Sequence, residues 1–166
     1  ESLRCAPGRL LLLAVFVHRA FEGSIISSTS LIPAGRLGGN VLFPRHGARI
    51  GSLAGVLLAI RWTADMIFGP VIGALSDRIG QANALLVLAG VLLAAMAGVV
   101  GLNGTPLILC LCAMFISSGG LMITLAAMAS GVALKTERPH IYVGVYATAH
   151  DAGAALGPLL AYFATG

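Results

Sequence analysis

The chain has 166 residues, of which 58% are hydrophobic and only 10% carry a charge. A water-soluble domain carries about 25% charged residues to cover its surface, so this composition excludes one and indicates that lipid surrounds most of the chain. The 10 Lys and Arg residues are scattered, which argues against a nucleic-acid-binding face, and the three Cys residues lack the spacing of a zinc site or a disulfide framework.

Five stretches are apolar and long enough to cross a bilayer, which takes about 20 residues. In chain order they are residues 10–33, 50–75, 84–102, 107–134 and 141–165. We expect each to be a transmembrane helix, because polarity nowhere alternates with the period of two that a β-barrel strand requires. The expected fold class is therefore all-α, a polytopic membrane helical bundle that forms a single membrane domain over residues 1–166.

The connections between the spans predict how the helices run. Asn103, Gly104, Thr105 and Pro106 form a tight turn, so the third and fourth spans should make an antiparallel hairpin. With the N-terminus inside, the Lys and Arg residues of the inner connections are Arg4, Arg9, Arg78, Lys135 and Arg138, and those of the outer one are Arg36, Arg45 and Arg49. The positive-inside rule thus favours a multi-pass protein of the cell membrane with a cytoplasmic N-terminus.

Ionisable residues occur inside three of the five spans, although each costs about 2.5–3.5 kcal/mol near the bilayer centre. They are His18, Arg19 and Glu22 in the first span, Arg61 and Asp65 in the second, and His150 and Asp151 in the fifth. The three-residue spacing of Arg19 and Glu22 places both on one helical face, where they can neutralise each other, and the four-residue spacing of Arg61 and Asp65 does the same. Two interpretations stay open for these pairs, helix pairing alone or pairing combined with a role in a polar pathway.

Asp151 is different, because His150 is the one basic residue within a turn of it on its own helix. With His neutral, two arginines face three carboxylates inside the spans, so one carboxyl lacks a full counter-charge. Such a group can take up a proton, which a proton-coupled carrier requires. Asp151 and Glu22 are the candidates, while His18 and His150 are each either a proton relay or a packing residue. The charge-free third span is expected to face lipid.

A motif of glycine and charged residues lies where the second span ends. Its members are Gly73, Asp77, Arg78 and Gly80. They resemble the G-x-x-x-D-R-x-G signature of the major facilitator superfamily, which lies in the cytoplasmic loop between the second and third helices of those transporters. In the family two basic residues follow, where this chain has Gln81 and Ala82.

The fifth span holds a second pattern, with the spacing G-x8-G-x3-G-P. Its members are Gly144, Gly153, Gly157 and Pro158. They resemble the antiporter motif in the fifth helix of the same superfamily, although Ala161 and Tyr162 replace its closing glycines. Proline removes one backbone hydrogen bond and glycine permits bending, so the segment predicts either a functional bend near Gly157 or a packing kink.

The resemblance implies five of the six helices of one half of a twelve-helix transporter. The incomplete loop motif, the fourth span without arginine and the start at Glu1 favour a fragment with helices seven to eleven, the C-terminal half, over the N-terminal half. Such a protein would be a secondary carrier, proton-coupled or not, that takes up or exports a small solute by alternating access. Asp77 and Arg78 would form its cytoplasmic gate. The residues expected along the substrate or proton pathway are Arg19, Glu22, Arg61, Asp65, His150 and Asp151.

Two other functions remain as alternatives to the carrier. One is a structural or assembly subunit of a membrane complex, whose polar pairs only hold helices together. The other is an intramembrane enzyme, which needs a fixed set such as H-E-x-x-H, and the sequence has none. We expect no enzymatic activity, no cofactor and no metal. The expected partners are a small-molecule substrate, the lipid bilayer and the other half of the transporter.

Overall fold

The computed structural model describes residues 6–29 and 50–165, which form helices joined by short connections. The five helices within these described residues are α1 (Ala6–Thr29), α2 (Ile50–Ile79), α3 (Gln81–Gly101), α4 (Thr105–Ala133) and α5 (Pro139–Thr165). Each corresponds to one predicted span, and the described segments contain no strand, so the all-α prediction is confirmed. The end of the first predicted span at 30–33, and the arginines Arg4, Arg36, Arg45 and Arg49, lie outside the described residues.

Three of these helices are long and apolar enough to cross a membrane. The segments are Gly8–Ser28 within α1, Gln81–Gly101 and Thr105–Ala133. They match the first, third and fourth predicted spans and are compatible with a membrane protein. α2 and α5 are not among the three, although at 30 and 27 residues both are long enough.

The connection between α2 and α3 is much shorter than the sequence predicts. A loop is expected from Ser76 to Asn83, but α2 continues to Ile79 and α3 begins at Gln81, so Gly80 alone joins them. Gly80 has φ +86° and ψ 139°, a conformation that glycine adopts at little cost and other residues rarely adopt. The carbonyl of Ile79 accepts a hydrogen bond from Asn83 Nδ2 at 2.9 Å, which satisfies one of the last carbonyls of α2.

The described residues fall into two compact units. The first contains α1, α4 from Thr124 onward, and α5, and the second contains α2, α3 and α4 as far as Ile123.

Helix directions in the second unit follow from close contacts at glycines. Gly98 of α3 faces Cys110 of α4, and ten residues earlier in α3 Leu88 faces Gly120. The contact moves backwards along α3 as it moves forwards along α4, so the predicted antiparallel hairpin is confirmed. Only 17% of the α3 segment is buried, against 56% of the α4 segment, so α3 is the more exposed of the two helices.

α2 runs parallel to α4 in the same unit. Asp65 of α2 contacts Gly119 of α4, and Gly69, one turn later, contacts Ile123.

In the first unit, α1 and α5 are also parallel. The Tyr142 hydroxyl lies 3.4 Å from the carbonyl oxygen of Gly8, near the start of both helices. Further along, Gly153 lies against the carbonyl of Phe16, and Gly157 lies against that of Ala20. α5 therefore packs along α1 from the start of the apolar segment of α1 to well past the middle of that segment.

Candidate functional site

The first charged pair lies within α1. The guanidinium Nη1 of Arg19 forms an ion pair with Oε2 of Glu22, as the three-residue spacing predicts. The Glu22 side chain is only 3% exposed and that of Arg19 is 22% exposed. Both residues lie inside Gly8–Ser28, so the pair occupies the interior of a helix that can cross a membrane. The carboxylate is therefore buried with its counter-charge on the same helix.

The second pair lies on α2 and also agrees with its predicted spacing. Nη2 of Arg61 lies 3.5 Å from Oδ2 of Asp65, and the two side chains are 5% and 25% exposed. The Arg61 guanidinium carbon lies 5.7 Å from the centre of the Trp62 ring, within the range of a cation–π contact. In this pair the arginine, Arg61, is the more deeply buried member. In the first pair the acid, Glu22, is the more deeply buried one.

Glycine on α4 makes room for the Asp65 carboxylate. Oδ1 of Asp65 lies so close to the Gly119 backbone that a Cβ there would overlap it. The neighbouring Gly120 is contacted by Ile72 of α2 and Leu88 of α3, with 3.0–3.2 Å to the place of a Cβ. In the sequence, the adjacent Gly119 and Gly120 within an apolar stretch could have indicated a close helix contact. They could not have indicated which helix makes that contact.

The third group of polar residues lies on α5. His150 Nδ1 is 3.0 Å from Asp151 Oδ1, and the His150 ring lies 6.5 Å from the Tyr146 ring, centre to centre. The Asp151 side chain is 81% exposed and that of His150 29%. Neighbouring residues on a helix point in directions about 100° apart, so Asp151 turns outward while His150 lies closer to the packed side.

α1 and α5 meet at three glycines, Gly23, Gly153 and Gly157, which we call the glycine seam. A Cβ on Gly157 would lie 2.6 Å from both the Ala20 carbonyl oxygen and the Gly23 Cα. A Cβ on Gly23 would lie 3.1 Å from the carbonyl oxygen of Ala154, whose helical hydrogen-bond partner is missing because the residue four positions later is proline. Glycine on both helices therefore lets the two backbones approach closely, as small residues do between membrane helices.

A hydroxyl group links the two helices of the seam as well. The Ser24 hydroxyl lies 2.8 Å from the Gly157 carbonyl oxygen and 2.9 Å from that of Ala20. Of the four α5 motif residues, Gly153, Gly157 and Pro158 are brought against α1, whereas a Cβ on Gly144 would meet no heavy atom within 4 Å. α5 continues through Pro158 as one helix to Thr165. The sequence pattern gave no indication of Gly23 and Ser24.

The loop motif occupies the end of α2. Asp77 and Arg78 are exposed in the last turn of the helix, not in a loop, and Gly80 is the single linking residue. Gly73 has open space around the position of a Cβ. An arginine in the last turn also interacts favourably with the negative end of the helix dipole. The motif is therefore solvent-facing or partner-facing instead of packed within α2–α3.

Among the residues that the structure describes, no three His, Cys, Asp or Glu side chains come together. The two described cysteines, Cys110 and Cys112, are free thiols on α4.

Neither a family model nor a curated protein nor a solved structure matches this chain.

Proposed function

We propose that the chain is part of a secondary carrier of the major facilitator type, which moves a small solute across a cell membrane by alternating access between two helical bundles. In this proposal the N-terminus is cytoplasmic and the chain supplies five helices of one bundle. The observation that carries the proposal is the ion pair between Arg19 and buried Glu22 inside a helix able to cross a membrane.

The physical reason is that helix packing alone does not need such a pair. Replacing a buried ion pair by apolar residues of similar volume often leaves stability unchanged or improves it. Ionisable residues within membrane spans are rare, and they mark substrate, ion or proton pathways. A second pair, Arg61 and Asp65, adds to this argument, since its arginine is almost fully buried.

The pathway residues have distinct places in the proposal. Arg19 and Glu22 on α1 and His150 on α5 would be the pathway residues of the first unit, and Arg61 and Asp65 on α2 those of the second. Glu22 is the candidate for proton coupling, because breaking its pair with Arg19 would free a carboxylate able to take up a proton.

The exposed Asp77 and Arg78 support the gating part of the proposal. Side chains exposed at the end of a helix contribute little to folding stability, with substitutions usually within about 0.5 kcal/mol. A cytoplasmic gate would explain two charged residues there, beside the single-residue connection at Gly80. They would exchange ion-pair partners as the bundles move.

The glycine seam favours a second candidate, an assembly subunit of a membrane complex. Close backbone contact between α1 and α5, with Gly157 against Ala20, stabilises a helix pair without any transport role. In such a subunit the ion pairs would only hold helices together. Solute flux separates the two candidates.

The test is flux into sealed vesicles that contain the full-length gene product. The vesicles receive radiolabelled sugars, amino acids, organic anions and organic cations, whose uptake is counted, and a pH-sensitive dye inside the vesicles reports any protons that move with them. We expect at least one class to move, and Asp77→Asn or Arg78→Gln to reduce its rate severalfold without changing thermal stability. Glu137→Gln, at an exposed carboxylate of the α4–α5 connection, is the matched control and should transport normally. Flux that is absent for every class would favour the assembly subunit.

A further inference from the structure

The Arg19 side chain has hydrogen-bonding capacity that its ion pair does not use. Its Nη1 donates to Oε2 of Glu22, whereas its Nε is buried and has no hydrogen-bond partner among the residues that the structure describes. Buried donors in proteins are almost always hydrogen-bonded, because a donor left without an acceptor has lost its bonds to water and gained nothing. The cost is greater when the donor belongs to a charged group such as guanidinium. An acceptor is therefore expected at Nε when the protein works.

The unused donor belongs to the edge of the guanidinium that fits a carboxylate. Nε and Nη2 carry parallel N–H bonds along one edge of the plane, and Nη1, which holds Glu22, lies at the other side. Two parallel donors match the two oxygens of a carboxylate, and such charge-assisted pairs are roughly twice as strong as neutral hydrogen bonds. The ion pair with Glu22 can thus stay in place while a second carboxylate binds along this edge.

Exposure favours an anion over a cation at this ion pair. The Arg19 side chain is 22% exposed, whereas that of Glu22 is 3% exposed. A solute that reaches the pair therefore meets the cation, which repels an ammonium group and attracts a carboxylate. A neutral hydroxyl group could accept a hydrogen bond from Nε, but without the second bond and without the charge assistance that a carboxylate has.

Tyr146 of α5 adds a hydroxyl group close to the same guanidinium. Gly153 of α5 lies against the Cβ of Arg19, and long helical side chains point towards the N-terminal end of their helix. The guanidinium therefore extends from the level of Gly153 towards Tyr146, and the charge of Arg19 acts on the Tyr146 hydroxyl. Tyr146, His150 and Gly153 are spaced by four and three residues, so they share one face of α5. The half-buried tyrosine and the guanidinium can thus contact one ligand together.

We propose that Arg19 and Tyr146 form a binding site for the carboxylate of a small organic acid. The Nε–Nη2 edge of Arg19 binds both carboxylate oxygens, and the Tyr146 hydroxyl donates to one of them. The solute of the proposed carrier is then an organic carboxylate that has no ammonium group. This inference rests on the proposed function for the movement of the solute but not for its binding. A proton taken up with the solute would offset its negative charge, which is the coupling proposed for Glu22.

The test is ligand binding to the full-length gene product in detergent, measured as the rise in the midpoint of thermal unfolding. A ligand that binds only the folded protein raises this midpoint. The probes are lactate and benzoate, each compared with its neutral amide, lactamide or benzamide, and with phenyl phosphate. We expect at least one of the two carboxylates to raise the midpoint by several degrees at saturation, and its amide to leave the midpoint unchanged.

Two variants assign the binding to the named groups. Arg19→Lys keeps a cation beside Glu22 but removes Nε and the paired donors, so we expect carboxylate affinity to fall at least about tenfold. Tyr146→Phe removes one hydroxyl group and should weaken binding severalfold. Arg138→Lys, at an exposed arginine of the α4–α5 connection, is the matched control and should bind like the unchanged chain. Each shift is measured from the variant's own midpoint, so a change in stability alone does not count as lost binding.

Several results would overturn the site. They are the absence of a shift with both carboxylates, equal shifts with acid and amide, a larger shift with phenyl phosphate, and unchanged affinity in Arg19→Lys. If Arg19→Lys does not fold, unchanged affinity in Tyr146→Phe would overturn it instead. Carboxylate binding without flux of any solute would support the site and contradict the carrier. Flux of sugars, amino acids or organic cations without carboxylate binding would support the carrier and contradict the site.

Discussion

Gly157→Ala is expected to destabilise the protein, although alanine is the better helix former. The added Cβ would lie 2.6 Å from the Ala20 carbonyl oxygen and from the Gly23 Cα, whereas ordinary contact begins at 3.4 Å. Because both neighbours are backbone atoms, no side chain can rotate away. α1 and α5 must therefore separate locally by about 0.8 Å, the difference between these two distances.

Three contributions change the free energy of unfolding of Gly157→Ala, of which two destabilise the protein and one stabilises it. Overpacking of a well-packed contact costs about 1–3 kcal/mol. The 2.8 Å hydrogen bond from Ser24 to the Gly157 carbonyl would lengthen to about 3.6 Å, which loses roughly 0.5–1.5 kcal/mol. Alanine favours the helical conformation over glycine by about 1 kcal/mol, which compensates for part of this loss. The expected net change in the free energy of unfolding is a loss of about 1–3 kcal/mol.

The matched control lies on the same helix. Gly144→Ala places a Cβ in open space, so it should leave the free energy of unfolding unchanged or raise it by up to about 1 kcal/mol. The assay is equilibrium unfolding in mixed micelles, with helix content followed by circular dichroism. Equal stability of the two variants would refute the close approach of α1 and α5 at Gly157.

Four further substitutions test the charged pairs and the α2–α3 link. Gly119→Ala should push the Asp65 carboxylate out of its place and lower the free energy of unfolding by about 1–3 kcal/mol in the same unfolding assay. Glu22→Gln and Arg19→Gln should each destabilise the protein, by up to about 3–5 kcal/mol for a fully buried pair, while the double variant recovers part of the loss in a double-mutant cycle. Gly80→Ala should cost about 1–3 kcal/mol, measured by thermal unfolding, because its φ of +86° is strained for any residue with a Cβ.

Controls for these changes are available on the same helices. Gly131→Ala on α4 and Gly90→Ala on α3 each add a methyl group in open space and should have no destabilising effect. If Gly119→Ala behaved like Gly131→Ala, the contact with Asp65 would be contradicted. If the stability losses of Arg19→Gln and Glu22→Gln were additive in the double variant, their ion pair would be contradicted. If Gly80→Ala were as stable as Gly90→Ala, the positive φ of Gly80 between α2 and α3 would be contradicted.

Interactions within one helix were the part that the sequence could predict. Helical geometry converts a spacing of three or four residues into a shared face, so the pairs of Arg19 with Glu22 and of Arg61 with Asp65 could be expected without any tertiary information. The turn at Gly104 predicted the α3–α4 hairpin for a similar reason, since a short connection leaves only one direction for the next helix.

Contacts between distant helices could not be predicted, because a small residue indicates space but not the neighbour that fills it. The motif with Gly153 and Gly157 predicted a bend or a packing kink, and nothing in its spacing pointed to the contacts with Phe16 and Ala20. The loop expected around Asp77 failed for another reason. Polar residues at the end of an apolar stretch suit both a loop and an exposed last helical turn, and hydropathy does not distinguish them.

Glycines and charges, which the sequence presents as separate motifs, meet in both compact units. Gly119 lies against the carboxylate of Asp65, and the Cβ of Arg19 lies against Gly153. In each unit the glycine belongs to a different helix from the ion pair that it faces, so the pair can be held close to a neighbouring backbone. Gly153→Ala should therefore disturb Arg19 as well as the glycine seam. Its effect on stability should shrink when Arg19 is replaced by glutamine, and strictly additive effects would show that glycine and ion pair act independently.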